Sequence, residues 1–308
     1  MLFKQVVLLG CGLIGGSLAR ALKDKGVAGA VLGYDHNSKN LGKAVEMGVL
    51  DQALRREELV PEGTDLLIFA TPVCATLQLL AQVADSIPPG CLVTDTGSTK
   101  KNVMEAFQKH LLPGMAFVGG HPMAGSEKSG IEAADPQIFQ GAAYVLVEGT
   151  PSHPCALEKI KKMVRAIGAV PFMLEAEEHD RLVALISHLP HLAAVALTET
   201  VRKKGQDERV RLMLLSLAAG GFRDTTRVAL GNPGMWKDIC LTNSAHIKRA
   251  LLQLKAEIEQ IMYLLEDDAG KNEGRNLLAL FERARDFRSQ ILGKSSALLY
   301  PGRTGEKQ

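Results

Sequence analysis

His121 lies in Gly119-Gly120-His121-Pro122-Met123-Ala124-Gly125-Ser126-Glu127-Lys128-Ser129-Gly130, a stretch too rich in small and polar side chains to be core. An imidazole titrates near neutral pH, so a histidine set at a strand end suits proton transfer from a hydroxyl. Ser98, in Asp95-Thr96-Gly97-Ser98-Thr99-Lys100, stands at the end of another apolar run. It can cap a helix opening at Thr99, and a capping serine can still turn its hydroxyl to a ligand. Ser187-His188-Leu189-Pro190-His191 sets three polar side chains inside an apolar helical stretch. Each needs a partner there, because an unbonded buried polar group costs about 1–3 kcal/mol. No third ligand is near the two histidines and Pro190 bends the helix between them, so no metal site is assigned. Arg227, in Gly220-Gly221-Phe222-Arg223-Asp224-Thr225-Thr226-Arg227, is either a surface charge or the guanidinium fork that a substrate carboxylate needs.

A glycine pattern, Gly10-Cys11-Gly12-Leu13-Ile14-Gly15, follows the first apolar run and opens a helix. In that context Gly10 permits a tight turn, Gly12 lets backbone approach a pyrophosphate, and Gly15 lets the helix pack near the strand. The phosphates would rest on the helix N-terminus, where free N–H groups and the dipole favour anions. Asp35 ends the second run, placed to accept hydrogen bonds from both adenosine ribose hydroxyls, and its charge would repel a 2′-phosphate. The residues after it are His36, Asn37, Ser38 and Lys39, with no arginine, so NAD is the expected cofactor. Thr71-Pro72, after the third run, is expected to line the same cleft, with Pro72 at the first position of a helix.

These residues need a scaffold. Up to about residue 175, apolar runs at 6–10, 30–34, 66–70, 92–95, 116–120, 144–147 and 169–174 alternate with helical periodicity at 13–25, 38–47, 73–86, 99–110 and 155–167. Most runs are continuous rather than alternating, as in strands buried on both faces by crossover helices. From His179 to about Gly293 nothing reads as a strand. The stretch 182–201 is apolar on nearly every face and calls for a bundle or a subunit interface around it. Ile247, Leu251, Leu254, Ile258, Ile261 and Leu265 make one stripe at steps of three and four. The expectation is a Rossmann-type, doubly wound, mostly parallel α/β sheet over 1–175. An all-helical substrate and dimerisation domain over 176–293 and a loose tail over 294–308 should follow it.

Composition narrows the function. The 308 residues carry 36 Lys and Arg against 34 Asp and Glu, so no one-signed field points to nucleic acid or a charged membrane surface. A hydrophobic content of 46% with 23% charged residues matches a soluble globular chain. The cysteines (Cys11, Cys74, Cys91, Cys155, Cys240) form no C-x-x-C pair, which fits a reducing cytoplasm. The run Val6 to Gly10 before Cys11 is too short for a secretory signal core.

Taken in order, the Gly10–Gly15 loop, Gly97-Ser98-Thr99-Lys100, His121-Pro122-Met123-Ala124-Gly125, Ser187-His188-Leu189-Pro190-His191 and Phe222-Arg223-Asp224-Thr225-Thr226-Arg227 resemble the prephenate dehydrogenase family over nearly the whole chain. The resemblance implies a cytoplasmic homodimer that joins through its helical domain. It also implies NAD-dependent oxidative decarboxylation of prephenate to 4-hydroxyphenylpyruvate in tyrosine biosynthesis. In that reaction hydride leaves C4 of the ring, the 4-hydroxyl loses its proton, and the ring carboxylate departs as carbon dioxide. By similarity His121 is the catalytic histidine and Ser98 orients the hydroxyl. Arg227 holds a carboxylate, His188 or His191 contacts the substrate or orders Arg227, Ser187 lines the pocket, and Glu127 bears on substrate selection. Some members carry a regulatory domain after the helices, and the expectation here is a chain without one. Arogenate is the sibling substrate. A different class, a non-catalytic NAD-sensing dimer, would need no titratable group beside the nicotinamide. A β-hydroxyacid dehydrogenase would place a lysine where Ser187 and His188 stand.

Overall fold

The computed structural model describes residues 1–110, 115–126, 128–149, 153–268 and 274–299. Packing divides the chain into two compact units, Met1–Ile247 and Lys248–Gln308.

The first unit is built on an eight-stranded sheet in the order β3-β2-β1-β4-β5-β6-β7-β8. The strands are β1 (Phe3–Leu9), β2 (Ala28–Tyr34), β3 (Gln52–Ala53), β4 (Leu66–Phe69), β5 (Leu92–Asp95), β6 (Ala116–Pro122), β7 (Ala143–Glu148) and β8 (Val170–Met173). The helices between them are α1 (Leu13–Asp24), α2 (Ser38–Glu46), α3 (Val73–Val83), α4 (Lys101–His110) and α5 (Pro154–Ala166). Every expected run is a strand. The addition is β3, two residues long and exposed, too short to leave a hydrophobic signature.

Alternate residues of β1 explain why the runs are continuous. Val6 and Leu8 enter one core with Leu18 and Leu22 of α1 and with Ile160 and Val164 of α5. Val7 and Leu9 enter a second core on the other face with Leu80 of α3 and Val103 and Phe107 of α4. Successive side chains of a strand point to opposite faces, and here both faces are covered. Burial of each such Val or Leu is worth about 1.5–3 kcal/mol.

All pairings are parallel except β6 with β7, which is antiparallel. The reason lies in the connection: a parallel return needs a crossover of a dozen or more residues, usually a helix. Among its described residues, the segment after β6 carries only the 3₁₀ turns Ile131–Ala133 and Pro136–Phe139. Because β1, β4, β5 and β6 run the same way, the Gly10 loop, Thr71, Ser98 and His121 come to one edge of the sheet. The chain reverses direction across the sheet between β1 and β4, the place where such sheets bind ligands.

After β8 the described chain is helical: α6 (Ala176–Val183), α7 (Leu189–Lys204), α8 (Glu208–Leu217), α9 (Gly220–Thr226), α10 (Pro233–Thr242) and α11 (Ser244–Asp268). Pro190 does not break the path from α6 to α7. A five-residue π-helical turn, Ala184–His188, precedes it and widens the helix just where proline has no N–H to give. Residues 176–204 are long and apolar enough to cross a membrane by length and composition. Their polar members His179, Asp180 and His188, however, are buried in hydrogen bonds within the unit.

The second unit holds the rest of α11 and α12 (Arg275–Leu299). Leu251, Ile258, Ile261 and Leu265 of the anticipated stripe are exposed in the single chain, as are Phe281 and Phe287 of α12. Helix α12 continues past residue 294, where the tail was expected to loosen, and residues 300–308 lie outside the described part.

Candidate active site

The glycine loop is shaped by its neighbours. Gly10 has φ +103°, a conformation that L side chains rarely adopt, and a Cβ there would stand 2.6 Å from the Ala70 carbonyl oxygen. A Cβ on Gly15 would overlap the Gly10 carbonyl oxygen. A Cβ on Gly12 would meet nothing within 4 Å. Gly12 therefore faces open space, next to the N-terminus of α1, which has no side-chain cap and no acidic residue in its first turn. Leu13 and Ile14 form that first turn and are half-buried. Free N–H groups beside an uncrowded glycine fit a pyrophosphate.

Asp35 is buried at the end of β2 and braces this loop. One carboxylate oxygen accepts the Cys11 N–H at 2.8 Å, and the other accepts the Asn37 N–H at 2.8 Å. Each oxygen keeps a further lone pair for a ribose hydroxyl. Burial, followed by the Asp35 charge, pushes the Cys11 thiol up to about 12, so it is no nucleophile here. At the next strand, Pro72 is the residue before α3 rather than its first, and the Thr71 hydroxyl bonds that of Thr76 at 2.9 Å. These residues fit a dinucleotide.

Ser98 is half-buried in the turn after β5, but the helix begins at Lys101, not Thr99. Its start is capped from a distance. Asp180 of α6 accepts the Lys100 N–H at 2.7 Å and the Lys101 N–H at 3.0 Å. The Ser98 turn is also held by Asp95, which accepts the Gly97 N–H at 2.8 Å and the Gly120 N–H at 2.9 Å and pairs with the fully buried Lys100 ammonium. Asp95 thus ties the end of β5 to the segment that carries His121.

His121 is buried at the end of β6, and its Nδ1 is 2.8 Å from Nε2 of His179. His179 Nδ1 is 2.7 Å from Asp180 Oδ1. Burial, then unfavourable electrostatic interaction with its neighbours His179, Lys100 and His188, holds the His121 imidazole well below its ordinary value of 6.5. A buried base kept neutral at pH 7 can accept a proton. Asp180 is held low: burial raises it, but the His179 and backbone hydrogen bonds outweigh that.

His188 lies on the π turn, fully buried, with Nδ1 3.2 Å from the Asn243 amide. The same amide donates to the Asp180 carbonyl at 2.7 Å. Burial lowers His188 to about 4. The Trp236 ring meets His188 edge-on at 6.0 Å and stacks on His191 at 3.4 Å, nearly parallel. Burial lowers His191, opposed by a hydrogen bond with the Val228 backbone. Arg227 immediately precedes Val228, is exposed, and opens the turn Arg227–Leu230. Ser187 is half-buried beside His188. His121, His179, Asp180, Asn243, His188, Trp236 and His191 thus form one chain of contacts ending at the Arg227 turn. Glu127 lies outside the described residues.

The sequence reading did not find His179, Asp180 or Asn243. In Glu177-Glu178-His179-Asp180 both residues look like the solvated acidic first turn of a helix, and only their burial separates them from it.

This combination of sheet, open glycine cradle, Asp35 and neutral buried histidine defines an NAD-dependent dehydrogenase with a helical second domain. The family profile for "Prephenate dehydrogenase, nucleotide-binding domain" matches residues 18–173, and that for "Prephenate dehydrogenase, dimerization domain" matches residues 175–283. The chain belongs to the prephenate dehydrogenase family. It is 36% identical to the prephenate dehydrogenase of Bacillus subtilis, over 93% of this chain and 76% of that one. It is 30% identical to the cyclohexadienyl dehydrogenase of Zymomonas mobilis, over 93% and 95% of the two chains. It matches the crystal structure of Aquifex aeolicus prephenate dehydrogenase in complex with hydroxyphenyl propionate and NAD+ with a TM-score of 0.85 and 29% identity, covering 94% and 98% of the two chains.

Proposed function

We propose that this protein is an NAD-dependent prephenate dehydrogenase that forms 4-hydroxyphenylpyruvate. The observation that carries the reading is the neutral imidazole of His121 at the same sheet edge as the open Gly12 cradle. The reaction removes a hydride from the ring carbon bearing the hydroxyl, the hydroxyl proton, and the ring carboxylate as carbon dioxide, which leaves an aromatic ring. NAD, when bound, supplies the nicotinamide that accepts the hydride. Gly10, Gly12, Leu13, Ile14, Gly15 and Asp35 would hold it, with Thr71 and Pro72 along the cleft.

The protein's own part is to bind and to take the proton. His121 withdraws the hydroxyl proton as carbonyl character develops, and Ser98 orients that hydroxyl. Arg227 takes a substrate carboxylate, with Ser187, His188 and His191 forming the wall beside it. In this reading 1–175 binds nucleotide and 176–293 binds substrate and dimerises. The exposed Leu212, Met213, Leu215 and Leu217 of α8 and the α11 stripe support a homodimer, since monomers rarely leave so many large apolar side chains in water. We propose a cytoplasmic location on the same grounds as the cysteine usage.

The test is an absorbance assay of purified protein with prephenate and NAD, crossed with arogenate and NADP. NADH and 4-hydroxyphenylpyruvate should form, with the higher kcat/KM for prephenate and NAD. No NADH at millimolar prephenate overturns the proposal, and a higher kcat/KM for arogenate reassigns the substrate.

A further inference from the structure

We infer that His179 and Asp180 are positioning residues that fix the tautomer of His121. The inference rests on the proposed role of His121 as base. It stands on three consecutive groups and two short hydrogen bonds. Asp180 is a carboxylate and can only accept, so the proton in the 2.7 Å contact belongs to His179 Nδ1. His179 is taken as neutral, with a single N–H, which leaves its Nε2 as an acceptor. The proton in the 2.8 Å contact therefore belongs to His121 Nδ1. His121 Nε2 is then the unprotonated nitrogen, the one able to withdraw a hydroxyl proton. With Nδ1 and Nε2 exchanged, the ring would offer an N–H to the hydroxyl and could not act as a base.

The arrangement is anchored on both sides. Asp180 is held by the Lys100 and Lys101 N–H groups, and its backbone carbonyl by the Asn243 amide. The His121 and His179 rings meet edge-on at 74° with centroids 5.0 Å apart, and Nδ1 of one addresses Nε2 of the other. The charged and titratable groups around His121 are His179 from α6, Lys100 from the turn before α4, paired with Asp95, and His188 from the π turn. A proton arriving on His121 would be shared along His179 toward Asp180, the only carboxylate in direct contact with His179 among the described residues.

Two substitutions separate this role from plain packing. In His179→Gln the side-chain amide reaches the place of Nε2 and can still accept from His121 Nδ1. In His179→Asn the amide reaches only the place of Nδ1, so it keeps the bond to Asp180 and deserts His121. Kinetics of prephenate oxidation should show His179→Asn reduced in kcat by about 10- to 100-fold, a fraction of what a general base supplies. His179→Gln should lie within about fivefold of the parent, and NAD binding should be equal in all three. A structural role through Asp180 predicts the opposite order. Full activity in His179→Asn, or His179→Gln falling as far as His179→Asn, overturns the inference. An independent readout is the ¹⁵N spectrum of histidine-labelled protein with NAD bound. It should place the His121 proton on Nδ1, and a proton on Nε2 overturns the inference whether or not prephenate is turned over. A parent enzyme silent on prephenate but with the proton on Nδ1 faults the substrate assignment instead.

Discussion

Asp180 accepts the backbone N–H of Lys100 at 2.7 Å across 80 positions of sequence, so a residue of the first helix after the sheet caps a helix of the sheet domain. The same carboxylate bonds His179, and through it His121. One side chain therefore sets both the start of α4, behind the Ser98 turn, and the orientation of the base. Loss of a helix cap costs about 0.5–2 kcal/mol. Asp180→Ala should pay that cost and lose turnover as well, and a thermal melt run beside a kcat measurement would register both. A variant that melts early yet keeps its kcat would restrict Asp180 to capping.

Replacing His121 tests the chemistry most directly. His121→Asn should lower kcat by about 10²–10⁴. NAD affinity, read by fluorescence titration, should not change. Turnover within twofold of the parent would remove His121 from the mechanism.

The two glycines of the loop should answer alanine differently. Gly12→Ala meets no atom within 4 Å and has φ −79°, so the protein should fold with its Tm little altered while KM for NAD rises at least about tenfold. Gly15→Ala forces the new methyl into the Gly10 carbonyl oxygen and should cost about 1–3 kcal/mol of stability. Calorimetry of the two variants without nucleotide separates fold from ligand. An equal loss of Tm in both would contradict an open cradle at Gly12.

Stability should fall on mild acidification. His188 is lowered to about 4 by burial, whereas in the unfolded chain it titrates near 6.5. The unfolded chain binds the proton first, so stability is complete above pH 6.5 and declines as pH drops toward 4. His188 alone accounts for about 2 kcal/mol by pH 5, and His121 adds in the same direction. Urea titrations at pH 7 and pH 5 measure the difference. A variant His188→Gln should shrink it by about 2 kcal/mol, and a flat wild-type profile would mean that these rings are not buried neutral.

Arg227→Ala should raise KM for prephenate with a smaller effect on kcat, because a carboxylate clamp binds ground state and transition state alike. Steady-state kinetics decide it. A fall confined to kcat would assign Arg227 to the transition state instead.

Local rules carried much of this protein. The β1 run and Gly10–Gly15 are adjacent in sequence, and strand, turn and helix N-terminus follow from neighbouring residues, so the cradle was legible along with Asp35. Apolar periodicity located the strands and the change to helices because burial on two faces leaves an unbroken run. The antiparallel return of β7 was not legible, since strand direction depends on what the connection can span, and His121, Ser98 and His188 were found as candidates without their partners. Those partners come from helices that fold back onto the sheet. His179 and Asp180 carry the composition of a solvated helix start, and only docking removes their water and turns them into acceptors for His121, Lys100 and Lys101. Sequence by itself determined which groups could do the chemistry, because that depends on residue type and local backbone. The tertiary structure decided which nitrogen of His121 is free to accept a proton, because a hydrogen bond made across 58 positions of sequence depends on packing, and no local pattern encodes it.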